Sequence, residues 1–325
     1  MEVQRIIPPQ VRPILRCPKC KGALAENQNV LACNSCKRSF PLVNGVLRFV
    51  EAESYASSFG FQWHNYARTQ LDNEATHLSE ISFRRKTGFT PEELSGKLVL
   101  DVGCGMGRYA EVASRWGARV VGIDLSSAAE VAAQNLADRH NVTILQADVF
   151  ALPFALESFD FIYSIGVLHH TSNCERAFKA LPPLLKAGGS IAIWLYSGYN
   201  NWYRFSDIYR KVTHRLPVQI LHALCYATVP LYYVHRGLNF VPFIGRPISG
   251  VLRHLLPISL DPEPARRILD TFDWYSPKHQ SKHRYEEVFP WFEDCGLDSL
   301  RVMPDGPVAV RGQKPSWGAK GDRSE

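Results

Sequence analysis

The amino-acid sequence predicts an α/β fold. It comprises a Rossmann-like sheet of mainly parallel strands, preceded by a small cysteine-rich module and carrying a helical insertion after its fifth strand. Three observations support this prediction. An apolar run at 98–102 breaks into glycines at 103, 105 and 107 and then into a helical pattern, which is typical of a buried strand, a tight turn and a helix start. Two CxxC pairs lie near the N-terminus, and residues 197–264 are too many for a simple connection.

Composition places the chain among globular proteins. Its 325 residues are 46% hydrophobic and 21% charged, which suggests about two domains. The net charge of +6 is mild; it does not by itself indicate nucleic-acid binding, but it permits an anionic substrate or surface. Residues 1–13 hold no apolar segment, so we expect no signal peptide. The cysteine pattern fits metal binding in a reducing compartment, and we therefore expect a cytoplasmic protein.

The N-terminal cysteines predict a metal site. Cys17 and Cys20 are followed after twelve residues by Cys33 and Cys36, and two such pairs can close a tetrahedral zinc site with four sulfur ligands. Four thiolates leave no open position, so the zinc should be structural. A redox CxxC pair is the alternative, but it would need a thioredoxin-like context that the sequence lacks. The segment resembles the zinc-ribbon activators of tRNA methyltransferases, and a similar finger opens certain ribosomal RNA guanine methyltransferases, which keeps RNA open as a substrate.

The glycine turn predicts a cofactor cradle, because glycines let the backbone approach a ligand and the next helix points free N–H groups into the turn. Arg108 replaces the last glycine of a dinucleotide fingerprint, and Asp101 would repel a pyrophosphate but suits a cationic ligand with an amino group. The stretch resembles motif I of the class I S-adenosylmethionine-dependent methyltransferases, in the form found in ubiquinone and menaquinone methyltransferases. A glycine-rich turn without a cofactor is the alternative.

Acidic residues end the next two predicted strands. Asp124 closes a strand over 119–124, about 20 residues after the glycines, where a carboxylate can bind both ribose hydroxyls or cap the following helix. Asp148 closes a strand over 142–147, and the family resemblance implies that it receives the adenine amino group while the N–H of Val149 faces a ring nitrogen. The candidate cofactor residues of the core are Asp101, Gly103, Cys104, Gly105, Gly107, Asp124, Leu125, Asp148, Val149 and Ser164.

Residues 51–95 read as a helical, aromatic segment. The resemblance implies a cap that closes over the cofactor and supplies a cation or a phenol for its methionine carboxylate. The alternative is that the aromatic residues only fasten the ribbon to the core. The candidates are Tyr55, Arg84 and Arg85 for the cofactor and Trp63 for the substrate.

A predicted fourth strand runs into Val167-Leu168-His169-His170, which resembles the corresponding passage of the quinone-type enzymes. His169 or His170 could act as a general base on a hydroxyl acceptor, since imidazole titrates near neutral pH. Alternatively, one of them only packs or starts a helix. The Asn/Asp-Pro-Pro-aromatic motif of enzymes that methylate exocyclic amines is missing here, which disfavours N-methylation of a nucleobase. The fifth strand, 190–196, ends in Tyr196, a candidate substrate residue.

The insertion at 197–264 mixes aromatic, apolar and basic residues and predicts a lid or subdomain. Its apolar stretch, 218–234, is shorter than the roughly 20 residues of a spanning helix. We expect an amphipathic lid that covers a hydrophobic substrate or rests on a bilayer surface, or alternatively a helical pair that packs on the cap or on another subunit.

Residues 271–285 predict a polar and aromatic loop over the ligand-binding edge of the sheet. The passage resembles one in methyltransferases of polysaccharide and natural-product pathways, which implies contact with substrate. The candidates are Asp273, Tyr275 and His279 for substrate binding and His283 for catalysis. An antiparallel pair over 296–302 and 307–312 should close the sheet, and the tail should be disordered.

Taken together, the sequence predicts a seven-stranded methyltransferase sheet and an enzyme that uses S-adenosylmethionine for O- or C-methylation of a small-molecule, lipid-linked or glycan acceptor. An RNA methyltransferase whose ribbon grips RNA is the alternative, and a binding module without activity is a third. The oligomeric state stays open. The predicted segments are the ribbon 1–50, the cap 51–95, the cofactor core 96–196, the insertion 197–264, the C-terminal part of the core 265–314 and the tail 315–325.

Overall fold

The computed structural model describes residues 7–9, 11–27, 30–50, 57–69, 71–72, 77–199, 204–306 and 308–316. The strands are β1 Leu24–Asn27, β2 Val30–Cys33, β3 Ser39–Val43, β4 Val46–Arg48, β5 Leu98–Val102, β6 Arg119–Asp124, β7 Val142–Gln146, β8 Phe159–Ile165, β9 Leu185–Leu195, β10 Asp298–Val302 and β11 Val308–Gln313. The α-helices are α1 Ser57–Asn65, α2 Leu78–Thr87, α3 Pro91–Leu94, α4 Arg108–Arg115, α5 Ala128–Asn135, α6 Cys174–Lys179, α7 Arg204–Thr213, α8 Val218–Cys225, α9 Thr228–Leu238, α10 Gly245–Leu255, α11 Pro264–Tyr275 and α12 Tyr285–Asp294. Short 3-10 helices cover Arg12–Ile14, Val149–Ala151, Leu168–His170 and Pro182–Leu184.

The sheet is larger than predicted. Its described strands number 11, in the order β1-β2-β3-β4-β7-β6-β5-β8-β9-β11-β10. The predicted seven are the part from β7 to β10, in which β7, β6, β5, β8 and β9 are parallel and β11 and β10 close the edge antiparallel. The Rossmann-like core is therefore confirmed, and the count of seven was wrong because the four ribbon strands continue the same sheet.

The ribbon joins the core through β4. A hairpin turn at Asn44-Gly45, with φ of 51° and 78°, returns the chain antiparallel to β3, because positive φ at both turn residues matches the twist of the strands. Strand β4 then pairs parallel with β7, placing Leu47 opposite Leu145. Glu130 of α5 binds both Arg48 and the Asn44 amide. The edge strand of the core is thereby covered by the ribbon.

A second seam fastens the ribbon to the passage before β8. The Arg16 N–H donates to the Pro153 carbonyl at 2.9 Å, the Ala155 N–H donates to the Ile14 carbonyl at 2.7 Å, and the Lys21 ammonium donates to the Leu152 carbonyl at 2.7 Å. Buried ribbon residues also share one apolar cluster with the strands of the core. The ribbon thus shares the main hydrophobic core and is not a separately packed module.

The insertion after β9 is helical, as predicted, and its described part consists of α7 to α10. Residues 271–275, predicted as loop, instead form the last turns of α11. Pro264 in the first turn starts this helix, since proline fits where no N–H partner exists, and Pro277 follows its end. Helices α7, α8 and α9 pack on α11. Among the described residues, no helix is both long and apolar enough to cross a bilayer.

The remaining segments cover the sheet. Helices α1 and α2 of the cap pack against α5 and α4, and the antiparallel pair β10–β11 forms at the expected place. The disorder predicted for the tail concerns residues that, from 317 onward, lie outside the described part of the chain.

Candidate active site

A cavity of about 330 Å³ opens at the carboxyl ends of the parallel strands. Strands β5, β6, β8 and β9 provide its floor, α1 closes one side, and α11 closes another. Ligands of open α/β sheets bind at this edge, because the loops that follow parallel strands converge there. The cavity has two ends, which we call the glycine end, around the turn after β5, and the histidine end, around His170.

The glycine end is built by the turn between β5 and α4. Gly103, Cys104 and Gly105 line the cavity, and the N–H groups of Gly103 and Cys104 are held by the Ile123 carbonyl. Gly105 has a φ of 53°, and a Cβ there would lie 3.1 Å from the indole nitrogen of Trp63 on α1. Glycine is thus required both by the backbone and by the close approach of the cap.

Two aspartates at strand ends complete this end of the cavity. Asp124 accepts hydrogen bonds from the Gly105 N–H at 3.0 Å and from the Ser126 N–H and hydroxyl at 2.9 and 2.7 Å, and its burial raises its pKa. Asp148 caps the following 3-10 helix by accepting from the Phe150 N–H at 2.9 Å. Both line the cavity, as do their neighbours Leu125 and Val149. Fixed carboxylates at neighbouring strand ends suit the hydroxyl and amino groups of a nucleoside.

Three predicted cofactor residues lie behind the cavity wall. Asp101 is buried, its Oδ2 has no hydrogen-bond partner in the described part of the chain, and burial raises its pKa to about 8, with Asp124 acting in the same direction. Ser164 is buried and donates to the Val102 carbonyl at 2.9 Å. Gly107 starts α4 and packs against α5, where a Cβ would lie 2.8 Å from Leu136. None of the three is among the residues that line the cavity.

The basic side chains that line the cavity differ from those predicted to face the cofactor. Arg84 lies outside the cavity, half exposed, where it pairs with Glu80 and stacks over Trp116 at 5.1 Å, and Arg85 faces Asp305 at 3.9 Å. Lys86 and Arg108 line the cavity instead. The helical repeat explains this shift, since Lys86 points about 160° away from Arg84 and about 100° away from Arg85 around the helix axis. Tyr55, the predicted phenol, lies outside the described residues.

The histidine end joins three side chains from distant segments. The Tyr196 hydroxyl donates to Asp273 Oδ2 at 2.6 Å, and His170 Nε2 lies 4.0 Å from the same oxygen. His170 Nδ1 is 3.1 Å from the His279 carbonyl, which can only accept, so this nitrogen carries the proton and Nε2 keeps its lone pair. Burial lowers the pKa of His170, although Asp273 opposes this effect. The ring is therefore neutral at pH 7 and faces the cavity as a proton acceptor.

The other predicted histidines and Tyr275 lie outside the cavity lining. His169 is fully buried and stacks on Tyr196 at 4.0 Å. His283 contacts Ser281 at 2.7 Å and Glu287 at 3.2 Å, and His279 contributes its backbone carbonyl to His170. The Tyr275 hydroxyl donates to the Pro257 carbonyl at 2.7 Å. The positions of these side chains favour roles in packing and positioning, whereas Trp63, Tyr196 and Asp273 do line the cavity.

Sequence reasoning missed several wall residues. Asp270 lies one helical turn before Asp273 on α11, and burial raises its pKa to about 6. The i,i+3 spacing would have revealed it had the segment been recognised as a helix. Gln62 is buried, and its Oε1 has no partner among the described residues. Further missed residues that line the cavity are Phe59, Lys86, Arg108, Tyr109, Trp194 and Trp274.

The four cysteines of the ribbon form a second candidate centre. Their sulfur atoms all lie within 4.8 Å of one another, with Cys17 and Cys36 at 3.6 Å and Cys20 and Cys33 at 3.4 Å. A tetrahedral site with Zn–S bonds of about 2.3 Å has edges of about 3.8 Å. The cluster fits a structural zinc ion with four thiolate ligands, and it is part of the ribbon rather than of the cavity.

Comparisons with known proteins agree with this division. Residues 100–193 match the family described as "Methyltransferase domain", and residues 11–45 match the family described as "Trm112p-like protein". The chain is 33% identical over 125 residues to a mouse protein named probable tRNA methyltransferase 9B, covering 38% of this chain and 27% of that protein. It is 35% identical over 100 residues to the ubiquinone biosynthesis O-methyltransferase of Coxiella burnetii, covering 30% and 43%.

A solved complex between the Haloferax volcanii Trm112 methyltransferase activator and a methyltransferase is 14% identical, with a TM-score of 0.45 and coverage of 79% of this chain and 97% of that chain. The chain spans less than half the length of the two curated relatives above. Its core is a class I methyltransferase domain with an N-terminal Trm112p-like ribbon. The cavity fits S-adenosylmethionine: the strand-end carboxylates suit its nucleoside, and the Gln62 Oε1, for which the described part of the chain offers no hydrogen-bond partner, suits its ammonium group.

Proposed function

We propose that this chain, with a class I methyltransferase domain joined to a Trm112p-like ribbon, transfers a methyl group from S-adenosylmethionine to an oxygen of a small-molecule or lipid-linked acceptor. The observation that carries the proposal is a single cavity with carboxylates for a nucleoside at the glycine end and a neutral, inward-facing imidazole at the histidine end. Carbon methylation of an activated acceptor is the neighbouring chemistry, since it also needs one proton acceptor.

The glycine end would hold the cofactor. In this proposal Asp124 receives the ribose hydroxyls, Asp148 and the Val149 N–H receive the adenine ring, and Lys86 or Arg108 faces the methionine carboxylate. When bound, S-adenosylmethionine supplies a methyl group already activated for transfer by its positive sulfur. The chain's own task is then to align the acceptor and to exclude water.

The histidine end would deprotonate the acceptor. His170 Nε2 would take the proton of an acceptor hydroxyl, while the hydrogen bond from Nδ1 to the His279 carbonyl fixes the required tautomer. Asp273, held by the Tyr196 hydroxyl, would stabilise the imidazolium as its charge develops. Trp274 and Phe59 on the walls favour an acceptor with apolar surface.

A second candidate acceptor is tRNA. It is favoured by the Trm112p-like ribbon and by relatives named as probable tRNA methyltransferases. Under this alternative the ribbon and cap would grip phosphates, and binding would weaken steeply as salt is raised, because counterions are released when phosphates are neutralised. The apolar walls of the histidine end make it the less favoured acceptor.

A labelled-methyl experiment tests the proposal. Purified protein is incubated with methyl-labelled S-adenosylmethionine and, separately, with lipid, small-molecule, glycan and RNA fractions of the source cell. We expect label in a lipid or small-molecule product, insensitive to ribonuclease and absent with His170→Ala. Label confined to RNA would favour the second acceptor, and no transfer to any fraction by a protein that retains the cofactor would overturn the proposal of activity.

A further inference from the structure

Among the described residues, most of the exposed large apolar side chains lie in the insertion. Fifteen of the twenty large apolar side chains that are exposed in the described residues fall between residues 204 and 256. They are Ile208, Val212, Ile220, Leu224, Tyr226, Tyr233, Val234, Phe240, Val241, Phe243, Ile244, Ile248, Val251, Leu255 and Leu256. Such a concentration of exposed apolar side chains in one segment indicates an interaction site, whereas single exposed apolar residues are ordinary.

The surface culminates in the loop between α9 and α10. Phe240 is 78% exposed and Phe243 is 98% exposed, and Val241 and Ile244 beside them are also exposed. Phe243 has a φ of 60°, a conformation that is rare for a bulky residue. A strained backbone that holds an aromatic ring out in solvent is a hallmark of a functional contact.

The loop rests on a fixed hairpin. His235 of α9 and Ser249 of α10 are both buried, and His235 Nδ1 lies 3.1 Å from the Ser249 hydroxyl. At Gly245 an added Cβ would lie 1.8 Å from the Leu238 carbonyl, so the two helices meet there with no room for a side chain. The loop that carries the two phenylalanines is therefore supported at both ends by the packing of α9 against α10.

The same segment is strongly basic. Residues 204–256 contain seven Lys and Arg residues and one acid, Asp207, and this charge of +6 equals that of the whole chain, so the rest of the sequence sums to zero. The charge is thus concentrated in the insertion and is not spread along the chain. Lys211, Arg215, Arg236, Arg246 and Arg253 are exposed among the apolar side chains.

We propose that the α9–α10 loop and the basic faces of the insertion dock on the surface of an anionic lipid bilayer. Aromatic and aliphatic side chains enter the boundary between headgroups and acyl chains, while cations on the same face pair with anionic headgroups. An RNA partner would match the charge and can stack bases on the two phenylalanines, but it would not bury the aliphatic side chains exposed beside them. A second copy of this chain would bring a like-charged surface against the first.

The insertion also packs on the helix that forms one wall of the cavity. Helices α7, α8 and α9 pack on α11, and α11 also supplies Leu269, Asp270, Asp273 and Trp274 to the cavity wall. A bilayer bound by the insertion would thus be linked to the histidine end through α11, on which the insertion helices pack. The proposal of bilayer docking does not depend on the reaction that the cavity performs.

Flotation of the full chain with vesicles tests the inference. The vesicles contain phosphatidylcholine alone or phosphatidylcholine with phosphatidylglycerol, at two salt concentrations. We expect the protein to float with the anionic vesicles and to be released by salt. Changing Phe240→Ser together with Phe243→Ser, or Arg236→Glu together with Arg246→Glu, should weaken partitioning by about tenfold or more. Because these side chains are exposed, the variants should keep the parent's melting temperature.

Matched controls use exposed residues elsewhere. Leu156, which lies before β8, is 70% exposed, and Arg301 is exposed on β10. The Leu156→Ser and Arg301→Glu variants should therefore float like the parent. Three results would overturn the inference: no flotation with anionic vesicles, equal loss in the controls, or a surface that binds RNA or a second copy without binding vesicles. The last is read from sedimentation of the parent and the Phe243→Ser variant with and without RNA.

Discussion

The two ends of the cavity are constructed in different ways. The glycine end comes from consecutive strand–turn–helix units between residues 98 and 150, and each aspartate there is fixed by backbone N–H groups of the turn after its own strand or of the glycine turn. The histidine end joins His170, Tyr196 and Asp273, which lie up to 103 residues apart and meet only because α11 folds back over the sheet. The glycine end should therefore tolerate changes elsewhere in the chain, whereas the histidine end depends on the packing of α11.

The difference suggests separate tasks, cofactor binding at one end and acceptor chemistry at the other. If the tasks are separate, substitutions at the two ends should change different measured quantities. Substitutions at each end test this separation, and a pH profile tests the neutral imidazole on which the histidine end depends.

The largest effect is expected at the glycine end. Asp124→Ala removes the proposed partner of both ribose hydroxyls and leaves the Gly105 N–H without its acceptor, so cofactor affinity should fall by about a hundredfold or more. Titration calorimetry with S-adenosylmethionine measures this loss. Asp138→Ala, an exposed aspartate at the end of the same unit, is the matched control and should bind normally. Unchanged binding by Asp124→Ala would remove the assignment of the glycine end.

The next effect is expected at the histidine end. His170→Ala removes the proposed base, and kcat should fall by about a hundredfold while cofactor affinity stays near that of the parent. Steady-state kinetics and calorimetry on the same preparation separate these quantities. The exposed His140→Ala serves as a control for loss of a histidine. Should His170→Ala weaken cofactor binding as strongly as it lowers kcat, the two ends would not be separate.

The smallest effect concerns pH. Burial lowers the pKa of His170 below its ordinary value of 6.5, so the ring remains a proton acceptor as pH falls toward that value. The rate should be flat between about pH 8 and about pH 6.5 and should decline only below it, as the ring becomes protonated. A rate that already halves near pH 7.5 would contradict the neutral, buried ring.

Thermal unfolding over the same pH range provides the control. The unfolded chain binds protons to His169 and His170 more readily than the folded one, because burial lowers both pKa values. Their contribution to stability is therefore constant well above pH 6.5 and is lost as the pH falls through that ordinary value. Melting temperatures well above the assay temperature at every pH would show that the rate profile reports the site rather than unfolding.

Local sequence patterns were enough to predict the four-cysteine ribbon, the parallel core, and the turn glycines and two strand-end aspartates that line the glycine end. The spacing of Cys17 to Cys36 fixes four ligands in a short stretch, and Asp124 and Asp148 follow directly from the ends of apolar strands. These features depend on neighbours within a few residues or on the regular geometry of parallel strands, so local patterns carry them.

The extent of the sheet, the histidine end and the basic residue that reaches the cavity depend on tertiary packing. Only the pairing of β4 with β7 makes the ribbon part of an 11-stranded sheet, and only the packing of α11 brings Asp273 to His170 while turning Tyr275 away. Likewise Lys86 rather than Arg84 reaches the cavity, because the rotation of α2 about its axis is set by the partners it packs against. Strand register, helix rotation and long-range docking depend on contacts between distant residues, which no local pattern records.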